Sequence, residues 1–189
     1  MRLALLHNAV APDAAADDAD VLVQVQTVAA ALASRGHDVE PVPCDLDLAA
    51  LARRLTSRRP EVVFNLVESL GGQGRLIAVV PYLLESLGLP HAGCPADAIH
   101  LTAHKILTKR WLVRHGLPTP AWVEADGRLR SGAGGAYRTR GAGRDGPPPG
   151  AGGDRWLIKS IWEDASIGLD DDAVVDAGCG RVAELLAAR

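Results

Sequence analysis

Lysines on a predicted helix are the first residues of this chain whose type and spacing could do chemistry. Residues 99–122 predict a helix that carries Lys105 and Lys109 and ends near Gly116, before a Pro-Thr-Pro stop. The two lysines are four residues apart and therefore share one helix face. That face could bind an anion, or it could simply be solvated.

A third lysine lies in a different predicted element. Residues 156–161 predict a short apolar strand that carries Lys159 and leads into a turn of small residues around Ser166 and Gly168. A lysine within an apolar strand is costly to bury unless it is paired or faces a cleft. Lysines on two rigid elements beside a small-residue turn suit a nucleotide polyphosphate, although Lys159 could also extend to the sheet edge and the turn could be a plain connection.

A glycine-rich turn and an acidic cluster are two further candidates. Residues 68–74 follow an apolar strand and offer backbone N–H groups to an anion or form a tight turn. They match neither a Walker A loop nor a dinucleotide-binding fingerprint. Asp17, with Asp18 and Asp20, could cap the first helix or face the ammonium group of a ligand.

Composition restricts the class of protein. The 189 residues carry a net charge of −3, which argues against a nucleic-acid footprint and leaves no nucleic acid among the expected partners. Three cysteines, far apart in sequence, form no metal-binding spacing and suit a reducing compartment. The N-terminal apolar run is too short for a membrane span and does not resemble a signal peptide, so we expect a cytoplasmic protein with no membrane partner.

Elements that would position these residues alternate along the first half of the chain. Apolar runs at 2–7 and 61–67 predict strands, residues 37–42 predict a further strand, and residues 21–35 and 46–58 predict helices. Short connections between them predict an α/β fold with a parallel sheet covered by helices. Ligands of such sheets bind at the carboxyl ends of the strands, where residues 68–74 lie.

The second half is less regular. Residues 77–88 predict a helix that kinks at or begins near Pro81, and residues 89–94 predict a strand. Residues 125–155 contain many glycines and a Pro-Pro-Pro run, which predicts a mobile insert that joins strand 121–125 to strand 156–161 as a hairpin. A short strand at 173–177 and a helix at 181–189 complete the predicted elements.

The order of motifs in residues 62–122 resembles the D-alanine–D-alanine ligase branch of the ATP-grasp superfamily. The matching residues are Leu84-Glu85, Gly88 to Gly93, Lys105, Thr108-Lys109 and Gly116 to Pro120. Residues 156–169 are similar to the family's strand with an ATP-binding lysine and the small-residue loop over the phosphates. The first sixty residues match in pattern only.

The resemblance implies a fold, an activity and roles for particular residues. It implies a Rossmann-like pre-ATP-grasp domain at 1–97 and the first α+β subdomain of an ATP-grasp fold at 98–189. The implied activity is ATP-dependent carboxylate–amine ligation through an acyl phosphate, with ATP, magnesium and a small amino-acid or carboxylate substrate. Lys105, Lys159, Ser166 and Gly168 would then contact ATP, Ser166 would also be catalytic, and Asp17 would be the nearest acidic equivalent of the residue that holds a substrate ammonium.

Several residues depart from the family pattern. His104 precedes Lys105 where an aspartate is usual, and Ala165 stands in place of the first of two serines in the phosphate loop. The glycines and serine usual near the first strand are absent from residues 8–20. These departures favour a ligase of another specificity over one for D-alanine.

The resemblance also implies a second ATP-grasp subdomain with magnesium ligands, and we expect no part of it within these 189 residues. We therefore expect no metal site within the chain, little catalysis by the chain alone, and an exposed apolar face at 156–189 that favours a homodimer or a complementing chain. Two alternatives remain: a truncated, non-catalytic module that binds a nucleotide or a partner, and a different α/β enzyme in which Lys105 and Lys159 do not converge.

Overall fold

The computed structural model describes residues 1–10, 16–124, 129–130, 155–162 and 173–176. It divides into two compact units, Met1–Ala103 and His104–Arg189, called unit 1 and unit 2 below. The domain boundary predicted at 97/98 stays a prediction. None of the described helices is long and apolar enough to cross a membrane.

Unit 1 is built on one parallel sheet, as predicted. Its strands have the spatial order β2-β1-β3-β4, and every neighbouring pair is parallel. The strands are β1 (Arg2–Asn8), β2 (Asp38–Cys44), β3 (Val62–Leu66) and β4 (His91–Ala92). The helices are α1 (Ala16–Ala33), α2 (Leu48–Arg58), α3 (Val79–Ser86) and α4 (Ala96–Ala103).

The apolar run of β1 explains its central place. Leu3 to Leu6 are all buried, as expected of a strand that is covered on both faces. The buried cluster of unit 1 combines β1, β2 and β3 with the inner faces of α2 and α3: Ala4, Leu6, Val42, Cys44, Leu51, Leu55, Val63, Val67, Leu70, Val80 and Leu84. The predicted α/β fold class is thereby confirmed.

Local signals set several helix ends in unit 1. Asp47, one of two predicted caps, accepts a hydrogen bond from the Ala50 N–H at 2.9 Å and so begins α2. Pro81 lies in the first turn of α3, where its missing N–H costs nothing and no kink is needed. The predicted start of the first helix at residue 21 is wrong, because α1 begins at Ala16 and includes part of the acidic stretch.

Unit 2 contains one described helix and two small antiparallel sheets. The helix is α5 (Lys105–Arg114). Strand β5 (Trp122–Val123) pairs with β6 (Leu129–Arg130), and β7 (Arg155–Leu157) pairs with β8 (Val174–Asp176). This mixture of helix and antiparallel strands agrees with the predicted α+β character.

Three predictions for this half need correction. The single lysine helix is wrong: it breaks at His104, whose extended backbone (φ −96°, ψ 99°) separates α4 from α5. The predicted pairing of the strand at 121–125 with the lysine strand is also wrong, because β5 pairs with β6, inside the predicted insert. Finally, β7 ends at Leu157, so Lys159 follows the strand instead of lying within it.

Candidate functional site

In unit 1, the carboxyl ends of β1 and β3 form the place where the strand order of the sheet reverses. Strand β2 lies on one side of β1 and β3 on the other. Ligands of open parallel sheets bind in the crevice at such a switch point. The residues that end these strands are therefore the first place to look for a binding site in unit 1.

Asn8, the last residue of β1, fixes the segment that follows β3. Its Nδ2 donates to the Ser69 backbone oxygen at 2.6 Å and to Ser69 Oγ at 2.9 Å. Its Oδ1 accepts from the Glu68 N–H at 2.9 Å. With three hydrogen bonds from one amide, the backbone of Glu68 and Ser69 is held at the switch point, while the Glu68 side chain stays exposed.

The glycine-rich turn beyond Ser69 has a structural explanation. Leu70 and Gln73 exchange backbone hydrogen bonds, which closes a tight turn across Gly71 and Gly72. Both glycines have positive φ, +57° and +71°, and a Cβ on Gly71 would lie 2.9 Å from Leu46 Cδ1. The turn therefore requires glycine at these positions without any bound anion.

Leu84 and Glu85, two of the residues that carry the resemblance, also have structural roles. Leu84 is fully buried in the core of unit 1. Glu85 Oε1 accepts a hydrogen bond from the Ala96 N–H at 2.7 Å and so satisfies the first N–H group of α4. This motif thus helps to join α3 to α4.

The lysines are few and confined to unit 2. Of the 20 Lys and Arg residues in the chain, only three are lysines, at 105, 109 and 159. All other basic residues of the Lys and Arg type in the chain are arginines. The surroundings of each lysine indicate whether it is available to a ligand or has a structural role.

Lys105 is the first residue of α5, and its backbone is bound to the segment that carries Lys159. The Lys105 N–H donates to the Ile161 backbone oxygen at 3.1 Å. Lys159 lies two residues before that oxygen and has an exposed side chain, while Lys105 is half-buried. The structure therefore brings together the two segments whose lysines were predicted to contact ATP.

Lys109 shares a predicted helix face with Lys105, but its ammonium group is bound to other parts of the protein. Its Nζ donates to Thr119 Oγ1 at 3.1 Å and to the Pro120 backbone oxygen at 2.9 Å, and it lies 5.3 Å from the centre of the Trp122 ring. Burial lowers the pKa of this ammonium. Lys109 is thus a structural cation that ties α5 to the segment leading into β5.

Glu124 is the centre of a second group of contacts in unit 2. Its Oε1 accepts from Arg110 Nε and Trp122 Nε1, both at 3.0 Å. Arg110 Nη2 also binds its Oε2, and Arg130 Nε lies 3.8 Å from Oε1. The hydrogen bond from Arg110, followed by that from Trp122, lowers the pKa of the Glu124 carboxyl group. These contacts attach the β5–β6 hairpin to α5.

The other predicted site residues are Asp17, Ser166 and Gly168. The backbone of Asp17 lies in the first turn of α1, and its side chain is outside the described part of the chain. Ser166 and Gly168 lie outside the described residues altogether. Their roles stay predictions.

No metal cluster is found where the structure can be described: within those residues, no group of three or more His, Cys, Asp or Glu side chains could hold an ion. The described residues therefore offer no set of ligands that fits magnesium. Lysine ammonium groups, by contrast, fit the phosphates of a nucleotide.

Sequence reasoning missed Asn8, and it treated Glu68 only as part of the glycine-rich turn and His104 only as a departure from the family pattern. The position of Asn8 at the end of an apolar strand, and of Glu68 after another, was a usable signal for the first two. For His104, the signal was its place immediately before Lys105. Its structural role could not be predicted, because that role includes a ring contact with Trp162, which is distant in sequence.

The sequence is similar to those of several bacterial D-alanine–D-alanine ligases. A D-alanine–D-alanine ligase of Moorella thermoacetica is 42% identical over 102 residues, which make up 52% of this chain and 31% of the ligase. A D-alanine–D-alanine ligase of Gluconobacter oxydans is 31% identical over 166 residues, or 87% of this chain and 47% of the ligase. Both are relatives of this chain over the N-terminal portion that was expected from its motifs.

Among solved structures, the crystal structure of the D-alanine–D-alanine ligase from Bacillus anthracis matches with a TM-score of 0.46 and 19% identity, over 65% of this chain and 37% of that chain. No family model matches the sequence. The matches cover only 31% to 47% of the length of the two relatives named above.

Proposed function

Because this chain resembles the N-terminal portion of D-alanine–D-alanine ligases, we propose that it takes part in an ATP-dependent ligation of a carboxylate to an amine. In this proposal unit 2 binds the phosphates of ATP and unit 1 binds a small amino-acid substrate. The observation that carries it is the hydrogen bond from the Lys105 N–H to the Ile161 oxygen, which holds the lysine helix against the segment of Lys159.

Lys105 and Lys159 neutralise the negative charge of the phosphates. In the reaction, a carboxylate oxygen attacks the terminal phosphorus and ADP leaves; the amine nitrogen then attacks the carbonyl carbon and phosphate leaves. Charge builds up on phosphate oxygens during the first step, and fixed ammonium groups lower its cost. Magnesium neutralises the same charge when it accompanies ATP, but no described residue is assigned to it.

Glu68 is the proposed partner of the substrate ammonium. It is exposed at the switch point of the sheet, and Asn8 holds its backbone in place. A carboxylate there attracts an amino group and repels a second carboxylate. Glu68 is proposed here for the role that the resemblance implied for Asp17, whose side chain lies outside the described part of the chain.

Calorimetric titration with ATP and magnesium tests the phosphate half of this proposal. Replacing both lysines (Lys105→Ala with Lys159→Ala) should weaken binding at least about tenfold, since two opposite charges beside the phosphates are lost. Arg114→Ala removes one exposed charge from the other end of α5 and is the matched control, expected to stay within about twofold of the wild type. Equal binding by the double variant and the wild type would contradict the proposal.

Release of phosphate tests the ligase half. A panel of amino acids, D-alanine included, should reveal a substrate whose turnover is reduced at least about tenfold by Glu68→Gln, which keeps the shape of the side chain and removes its charge. ATP binding without turnover on any substrate would favour the alternative, a nucleotide-binding module.

A further inference from the structure

His104 joins two segments of unit 2 through two different parts of its side chain. Its Nδ1 accepts a hydrogen bond from the Leu107 N–H at 3.3 Å, which caps the first turn of α5. Its ring also packs against the Trp162 ring in a T-shaped arrangement, with the ring centres 4.5 Å apart and the planes at 66°. A single residue thus caps the lysine helix and contacts the segment that follows Lys159.

These contacts surround the backbone bond that brings the lysine segments together. The Lys105 N–H, next to His104, donates to the Ile161 oxygen, next to Trp162. The Trp162 N–H in turn donates to Ser160 Oγ at 3.4 Å. The direction in which α5 leaves this junction, and with it the place of the Lys105 side chain, therefore depends on the contacts of His104.

We infer that His104 is a positioning residue that fixes Lys105 relative to the segment of Lys159, through its cap on Leu107 and its ring contact with Trp162. This inference rests on the proposed function only for the ligand that Lys105 binds. It also explains why a histidine stands where the resembling family usually has aspartate. Aspartate can cap a helix but offers no ring to Trp162, whereas phenylalanine offers the ring and no cap.

The cap requires one protonation state. Nδ1 accepts a hydrogen bond only when it carries no proton, so the capping imidazole is neutral with its proton on Nε2. A protonated ring can only donate, and its charge is unfavourable at a helix N-terminus.

Three variants separate the two contacts. His104→Asn keeps an acceptor for the Leu107 N–H and loses the ring, His104→Phe keeps a ring and loses the acceptor, and His104→Ala loses both. His115→Asn is the matched control, because His115 ends the same helix, stacks on Trp111 and lies away from the lysine junction.

Nuclear magnetic resonance of the full chain provides a test that does not depend on ATP. The Leu107 amide and the Trp162 indole signals should shift together in His104→Ala, and this coupled shift should separate in the partial variants: His104→Asn should move mainly the indole signal and His104→Phe mainly the amide signal. Hydrogen exchange of the Lys105 amide should be about tenfold faster in His104→Ala and unchanged in His115→Asn. Absence of the coupled shift, or equal exchange in all variants, would overturn the inference.

ATP titration of the same variants supplies the second readout. Binding should weaken about tenfold in His104→Ala and about threefold in each partial variant, with no change in His115→Asn. Equal affinity in wild type and His104→Ala would also overturn the inference. Failure of the wild type to bind ATP, with the coupled shifts and faster exchange present, would count against the proposed function and leave the positioning role supported.

Discussion

Unit 1 and unit 2 are held together in different ways. Unit 1 has a continuous parallel sheet and a buried cluster of aliphatic side chains from three strands and two helices. In unit 2, the described strands are two or three residues long, and the contacts with specific partners are made by Lys109, Glu124 and His104. Burial dominates in the first unit, and directed polar and aromatic contacts are prominent in the described part of the second.

The difference matters because the two mechanisms tolerate change differently. An apolar core loses stability in proportion to the volume removed. A polar contact is worth less in net terms, but removing one partner leaves the other without its hydrogen bond. The unit that contains all three lysines is thus the one whose geometry depends on a few individual side chains.

The chain contains a convenient reporter for this comparison. All four tryptophans, at 111, 122, 156 and 162, lie in unit 2. Tryptophan fluorescence therefore follows unit 2 alone. Far-UV circular dichroism is weighted toward unit 1, because four of the five described helices are there.

The largest expected effect is in the core of unit 1. Leu55→Ala removes a side chain of α2 that is 1% exposed and should lower the free energy of unfolding of unit 1 by about 2–5 kcal/mol through lost burial and the cavity that remains. Urea unfolding followed by circular dichroism measures it. Leu22→Ala, on α1 and 38% exposed, is the control and should cost less than about 1 kcal/mol.

The same experiment shows whether the two units unfold independently. If the units unfold separately, Leu55→Ala should shift the circular dichroism transition and leave the fluorescence transition in place. Equal shifts of both transitions would show that unit 2 depends on the core of unit 1 for its stability.

A smaller effect is expected from the structural lysine of unit 2. Lys109→Met keeps most of the apolar stem and removes the ammonium from Thr119 Oγ1 and the Pro120 oxygen, which should cost about 1–3 kcal/mol because Thr119 is buried. The midpoint of urea unfolding followed by tryptophan fluorescence reports it. Arg114→Met, at an exposed position of the same helix, should have little effect. Similar losses of stability in both variants would mean that the hydrogen bonds of Lys109 do not stabilise unit 2.

The smallest effect is a dependence on pH. Arg110 and Trp122 lower the pKa of Glu124 from its usual value of 4.5, so the folded state binds the proton less tightly than the unfolded state. The contribution of Glu124 is therefore complete above about pH 5 and is lost as pH falls through the lowered pKa. Since the Arg110 side chain is 55% exposed, we expect only about 1 kcal/mol.

Glu124→Gln isolates this contribution. The variant should be less stable than the wild type at pH 7, and the difference should shrink between about pH 5 and pH 3 when fluorescence-monitored unfolding is compared. Glu61→Gln, which changes an exposed carboxylate of unit 1, should leave the fluorescence transition unchanged. A constant difference between Glu124→Gln and the wild type over this range would exclude the ionised carboxylate as the cause.

Much of unit 1 could be predicted from the sequence because its signals are local. Uninterrupted apolar runs gave β1 and β3 to within a residue or so, and Asp47 was one of two predicted caps. The start of α1 was missed because its first turn is acidic and carries no apolar periodicity. Asp17 was accordingly placed in a loop, and Glu68 was considered only as part of the glycine-rich turn.

Unit 2 was predicted less well because its contacts join residues that are distant along the chain. The apolar spacing of residues 99–115 is compatible with one helix, and only the contact of His104 with Trp162 and the bond from Lys105 to Ile161 account for the break. The partner of β5 was likewise hidden in a glycine-rich stretch. Periodicity carries no information about such pairings.

By itself, the sequence determined the α/β class, the order of the strands and helices of unit 1, and the positions of the lysines proposed to contact phosphate. Only the tertiary structure decided that Lys109 is a structural cation, that Asn8 holds Glu68 at the switch point, and that His104 ends one helix and begins another. The reason is physical. Secondary structure follows from the spacing of neighbouring side chains, whereas the use of a polar side chain depends on which distant atoms folding brings within hydrogen-bonding distance.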